Sequence, residues 1–96
     1  MTSGIELVIT RDARLDIEDI FRYTAETWGI EQADAYDRML HETLQSLRRF
    51  PEMGREVEPG VREHAMDHHI AVYEWRPEVS RVAILRIVNH RQRRRG

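Results

Sequence analysis

Apolar and polar positions change period twice along this chain. Ile5-Glu6-Leu7-Val8-Ile9 has the branched, apolar character of a strand, and Thr10 follows it as a candidate helix N-cap with Asp12 in the first turn. From there Ala13, Ile17, Ile20, Phe21, Thr24 and Trp28 recur at three- and four-residue spacing, which predicts a helix over residues 11–28 with one apolar face. Gly29 supplies its stop, because glycine tolerates the backbone beyond a last helical turn. The spacing resumes with Ala33, Tyr36, Leu40, Leu44 and Leu47, predicting a second helix from near Glu31 until Phe50-Pro51 ends it. Met39 and Thr43 widen the second stripe, methionine there being core filler. Two amphipathic helices with so short a connection form an antiparallel hairpin that lays its apolar stripes on a sheet.

Residues 51–60 contain Gly54, Pro59 and four charged side chains, the composition of a loop. The pattern then becomes strand-like over Arg62–Asp67, His69–Arg76 and Arg81–Val88, with Pro77-Glu78-Val79-Ser80 as a hairpin connection. In the last strand Val82, Ile84, Arg86 and Val88 alternate with Ala83, Leu85 and Ile87. Both sets are mainly apolar, so the strand reads as central and covered on both faces, with Arg86 as the exception to explain. The predicted class is α+β: a strand, an antiparallel helical hairpin, then a three-stranded antiparallel meander, with the helices on one face of the sheet.

Ninety-six residues predict one domain over 1–96, large enough for a single core. No cysteine is present, which removes disulfides, thiolate metal sites and cysteine nucleophiles and suits a reducing cytoplasm. No apolar run reaches the ~20 residues of a membrane span, and Met1-Thr2-Ser3-Gly4 does not open a secretory leader, so the expectation is a cytoplasmic protein without a membrane partner.

Charge changes this picture. Residues 1–46 hold ten acids and four arginines, net −6, and residues 47–96 hold seven acids and eleven arginines, net +4. Such a split argues against uniform coating of nucleic acid and for a partner met on one side. All fifteen basic residues are arginine. A GC-rich coding sequence would substitute arginine for lysine everywhere, so clustering, not abundance, carries the information.

Two clusters could carry chemistry. Arg62, Tyr73, Arg86 and His90 could meet on one face of the meander, where arginines would stabilise a pentacovalent phosphate and the histidine would transfer a proton. Glu56, Glu58, His64 and Tyr73 are the candidates for a second proton carrier. The segment Arg91–Arg95, with Arg91, Arg93, Arg94 and Arg95, suits phosphate or acidic side chains but lacks the aromatics that stack on bases. His68 and His69 are adjacent, so in an extended strand they point apart and cannot chelate one ion; His69 is expected to support the sheet and His68 to sit in the turn. No metal and no cofactor is expected.

A family pattern runs through these elements. It consists of Ile9-Thr10-x-x-Ala13, Asp16-Ile17-x-x-Ile20-x-x-Tyr23, Trp28-Gly29-x-x-x-Ala33-x-x-Tyr36-x-x-x-Leu40, Leu47-x-x-x-Pro51-x-x-Gly54-Arg55, Gly60-Val61-Arg62, His69-Ile70-x-x-Tyr73 and Leu85-Arg86-Ile87-x-x-His90-x-Arg. In this order and spacing the chain resembles the RelE/ParE superfamily of bacterial type II toxins, and its ParE branch in particular. The resemblance implies a toxin held inactive in a hetero-oligomer with a cognate antitoxin, whose extended, partly helical segment, acidic or mixed in charge, wraps over Trp28, Tyr36, Tyr73 and Trp75. Operator DNA would be met only through the antitoxin. ParE-like members poison DNA gyrase by trapping it on cleaved DNA, which would make Arg62, Arg86, His90 and the Arg91–Arg95 run the target-binding set. RelE-like members cleave mRNA on the ribosome, with Arg62, Tyr73, Arg86 and His90 as the catalytic set. A degenerate co-repressor that only binds its antitoxin is the third reading. Gln92-Arg93-Arg94-Arg95 departs from the family, which usually has an acid soon after the His-x-Arg element.

Overall fold

The computed structural model describes residues 4–90. Its elements are β1 (Glu6–Ile9), α1 (Arg11–Trp28), α2 (Ile30–Arg49), β2 (Arg55–Glu58), β3 (Val61–Ala65), β4 (His69–Arg76) and β5 (Arg81–Asn89), with a 3₁₀ turn over Pro77–Val79. One five-stranded sheet has the order β1-β5-β4-β3-β2, in which β1 runs parallel to β5 and every other pairing is antiparallel. Both helices lie on one face of it, as the apolar stripes predict.

Thr10 is the joint between β1 and α1. Its Oγ1 accepts the Ala13 N–H at 3.2 Å, which caps the helix. The same hydroxyl donates to the Ile84 carbonyl at 2.7 Å, and the Thr10 N–H donates to that carbonyl at 3.1 Å. One residue therefore ends the strand, starts the helix and pins both to β5. Gly29 does the equivalent work at the other end of α1. At φ 100° it donates its N–H to the Ala25 carbonyl and offers its own carbonyl to the Ala33 N–H, so one residue closes α1 and opens α2.

The core is built from Ala13 and Ile17 of α1 and Leu44 and Leu47 of α2, set against Ala71 and Tyr73 of β4 and Val82, Ile84 and Ile87 of β5. Leu7, Ile9, Ile20 and Trp75 pack around it. Leu44 and Leu47 are at or below 1 % exposure, where truncation to alanine costs about 2–5 kcal/mol.

The structure differs from the sequence expectation in two places that matter for the site. Residues 55–58, expected to be loop, form β2, an edge strand paired with β3, so the meander has four strands. All four side chains are exposed, which leaves no apolar alternation to read; hydrogen bonding to β3 makes the strand. Strict alternation also fails in β5. Ile84 pairs with Tyr73 and Arg86 with Val72, so Leu85 is an extra residue, a β-bulge. The bulge shifts the phase by one: Ile87 joins Val82 and Ile84 in the core, and Arg86 turns out to solvent. That shift is the explanation of the arginine inside an apolar strand.

Candidate functional site

Arg62 and Tyr73 stand opposite each other on β3 and β4, and the structure shows what occupies them. Tyr73 is fully buried; its hydroxyl donates to the Pro51 carbonyl at 2.6 Å and accepts the Gly54 N–H at 2.9 Å. Arg62 Nη1 donates to the carbonyls of Gly54 at 2.6 Å and Glu52 at 3.2 Å. Together they clamp the turn that joins α2 to β2. Gly54 is required there, because a Cβ would lie 2.7 Å from the Tyr73 hydroxyl and 2.8 Å from the Glu63 carbonyl. Burial raises the Tyr73 pKa, partly countered by the Gly54 N–H and the Arg62 charge, so the phenol stays protonated.

Arg86 is engaged elsewhere. Its Nε and Nη2 donate to the two carboxylate oxygens of Asp16 on α1 at 2.7 and 3.0 Å, a forked pair that raises the guanidinium pKa. Asp16 also accepts the Ile87 N–H at 2.8 Å. The reason is topological: β1 ends at Ile9, opposite Ile84, so beyond that point β5 has no neighbouring strand on this side. Thr10 and Asp16 take over the hydrogen bonds that a longer β1 would have made.

His90 is exposed just past β5 and lines a shallow depression of about 360 Å³ with Met53, Gly54, Arg55, Glu63, His64, Ala65 and Ile70. Of the candidate second proton carriers, His64 shares this depression. Tyr73 is sealed beneath the turn, Glu56 accepts the Gly60 N–H, and Glu58 is exposed on β2. Of the four-residue set, Arg62 and Tyr73 hold the turn at Gly54, Arg86 is paired with Asp16 of α1, and His90 lines the depression that Gly54 also borders.

The expected antitoxin contacts separate in the same way. Trp28 is 71 % exposed at the end of α1, whereas Trp75 packs against the core and Tyr73 is out of reach of any partner. Tyr36 is half-buried; its hydroxyl accepts the His68 N–H at 3.2 Å and meets His69 Nδ1 at 2.8 Å. His69 is thus tied to α2, while His68 sits in the bend before β4. Burial lowers the His69 pKa, with His68 and His90 adding to it and Asp16 opposing. The structure adds Tyr23, Ile30, Phe50 and Met53 as exposed apolar side chains. Tyr23 lies off the α1 stripe and Ile30 directly follows the helix break, the signals by which they could have been found. Arg91, Arg93, Arg94 and Arg95 lie outside the described residues. Among the described residues no group of three or more His, Asp or Glu could hold a metal ion, and no helix is long and apolar enough to cross a membrane.

Comparison with known proteins gives this arrangement its context. Residues 7–94 match the family model described as the ParE toxin of the type II toxin–antitoxin system parDE. The toxin ParE1 of Caulobacter vibrioides is 34 % identical over 80 residues, covering 80 % of this chain and 83 % of that one. The toxin ParE1 of Mycobacterium tuberculosis is 28 % identical over 82 residues, covering 82 % and 83 %. In fold, the chain superimposes on a chain of the chromosomal ParDE system of P. aeruginosa with a TM-score of 0.79 at 24 % identity, covering 92 % of this chain and 98 % of that one. A chain of the M. tuberculosis RelBE2 toxin–antitoxin complex gives 0.70 at 18 % identity, covering 90 % and 98 %. The sheet order, the helical hairpin and the match over nearly its whole length place this chain in the ParE toxin family of type II toxin–antitoxin systems.

Proposed function

We propose that this toxin acts by binding DNA gyrase and trapping it on cleaved DNA, and that a cognate antitoxin neutralises it in the cytoplasm. The observation that carries the binding mode is the engagement of the catalytic candidates. Arg62 spends its guanidinium on two backbone carbonyls, Arg86 on Asp16, and the Tyr73 hydroxyl is buried between Pro51 and Gly54. Phosphoryl chemistry requires such groups to be aimed at one reacting phosphate. The choice of gyrase rests on the ParE family. Antitoxin contact is assigned to the exposed end of the hairpin around Trp28 together with Tyr36. The test is direct: toxin freed of antitoxin, added to gyrase, ATP and supercoiled plasmid, should accumulate linear or nicked DNA, and an unaltered topoisomer ladder would sink the reading.

One observation favours a second reading, ribosome-dependent mRNA cleavage. His64 and His90 share a depression, which places two imidazoles side by side as candidate proton carriers. Primer extension on translating ribosomes would then show codon-positioned mRNA ends that vanish in His90→Ala. Intact mRNA in the presence of toxin rejects it.

A further inference from the structure

The sheet has two edges, and the fold treats them in opposite ways. On β2 the edge is blunted: Arg55, Glu56 and Glu58 are charged, all four side chains are exposed, and the register slips between Glu56 and Glu58, so that Val57 is an extra residue. Charge and a bulge are devices that keep a free edge from pairing. β1 has neither. Its register with β5 is continuous from Glu6 to Ile9, and its only charged side chain, Glu6, accepts a bond from Arg81 Nε at 3.1 Å.

The ladder shows which groups this edge leaves. The Glu6 N–H donates to the Ser80 carbonyl, and the Thr10 N–H donates to the Ile84 carbonyl. Alternate residues of a strand turn their backbone groups to opposite sides, so Glu6, Val8 and Thr10 serve β5, and the N–H and C=O of Leu7 and Ile9 point away from it. Among the described residues no strand lies beyond β1. Burial agrees. Val82, Ala83 and Ile84 of β5 are at or below 9 % exposure, whereas Leu7, Val8 and Ile9 beside them are partly exposed. Leu7 and Ile9 pack toward the core, and Val8 faces the other side of the sheet.

This rim is complementary to itself. An antiparallel copy related by a twofold axis through Val8 pairs Leu7 with Ile9 and Ile9 with Leu7, and each such pair exchanges both backbone hydrogen bonds. Apolar side chains then meet on both faces, Leu7 against Ile9 on the helix side and Val8 against Val8 on the other. Glu6 comes opposite Thr10 and beside Arg11 of the second copy, and Arg11 has no ion pair among the described residues. An axis normal to the sheet keeps both helical hairpins on one face.

We propose that β1 is the docking edge for a second copy of this chain, joining two sheets into one continuous sheet with Val8 on the twofold axis. The surface of so short a strand is small, so the dimer is weak, with a dissociation constant on the order of 100 µM. The proposal is independent of which target the toxin engages.

Sedimentation of antitoxin-free toxin, followed between about 10 and about 500 µM, should move from the mass of one chain toward that of two. Over the same range hydrogen exchange at the Leu7 and Ile9 amides should slow about threefold, while exchange at the Val8 amide, which faces β5, should not change. Val8→Lys and Val8→Glu each set like charges across the axis and should abolish the dimer. Mixed in equal amounts, the two variants should restore it, which misfolded chains would not do. A toxin that stays monomeric, with exchange independent of concentration, overturns the proposal. So does a dimer that survives both substitutions, since it would lie on another surface. Protection of Leu7 and Ile9 that appears only on adding antitoxin overturns it as well, by assigning the edge to that partner.

Discussion

Gly54 shows how much a single position can carry. Its N–H and carbonyl are held by Tyr73 and Arg62, and a methyl group would collide with a phenol whose hydroxyl is fixed from two sides. Gly54→Ala is expected to cost about 1–3 kcal/mol as an overpacked site, read as a Tm fall of roughly 4–8 °C per kcal/mol in a domain of this size. Tyr73→Phe should cost a similar amount for a different reason, since it leaves the Pro51 carbonyl and the Gly54 N–H without their partner. Asp16 and Arg86 form an unequal pair. Arg86→Ala removes a half-exposed guanidinium, whereas Asp16→Ala removes in addition the acceptor of the Ile87 N–H. Urea titrations should therefore rank Asp16→Ala as the more damaging, by about 1 kcal/mol. Equal losses would mean that the backbone bond contributes nothing.

Elements meet at the Tyr36–His69 contact, which joins α2 to the start of β4 and the end of β5. Burial, His68 and His90 depress the His69 pKa and Asp16 opposes them. The neutral ring is the one the fold holds, so its contribution is complete above the ordinary histidine pKa of about 6.5 and is lost as pH falls through the lowered folded value. Chemical denaturation between pH 5 and 7.5 should show stability rising with pH, and His69→Gln should flatten the rise. A slope unchanged in that variant would place its origin at another group. Legibility varied by element as well. Both helices could be read from spacing because each has a continuous apolar stripe and a clear stop. β2 could not, because an exposed edge strand is stabilised by partner hydrogen bonds and carries no burial pattern.

At the scale of the molecule, function depends on which groups remain free once the fold has used the others. If the toxin acts by binding gyrase, His90→Ala should leave DNA cleavage in the plasmid assay within a few-fold of the parent, because an exposed imidazole with no hydrogen bond among the described residues would supply one contact of a target-binding set and no chemical step. On translating ribosomes, a His90→Ala loss of mRNA cleavage of about 100-fold or more, the scale of lost acid–base catalysis, would instead favour the nuclease reading. Arg62→Ala should lower activity and stability together, since Arg62 clamps the turn. Antitoxin at 100 times its Kd should raise the unfolding free energy by about 2.7 kcal/mol. Absence of any shift would argue against a folded complex.

The sequence by itself determined the α+β class, the helical hairpin, the strands of the last third and the ParE pattern, because periodicity and stop signals are local properties of the chain. It also named Arg62, Tyr73, Arg86 and His90 as residues worth attention. Only the tertiary structure decided what three of them do. A β-bulge sets the phase of Arg86, a β1 that ends early gives Asp16 its backbone bond, and a glycine turn folds over Tyr73 and Arg62. Each depends on which strands are neighbours and where they end. Those are relations between residues as far as 75 positions apart, and no window along the chain contains them.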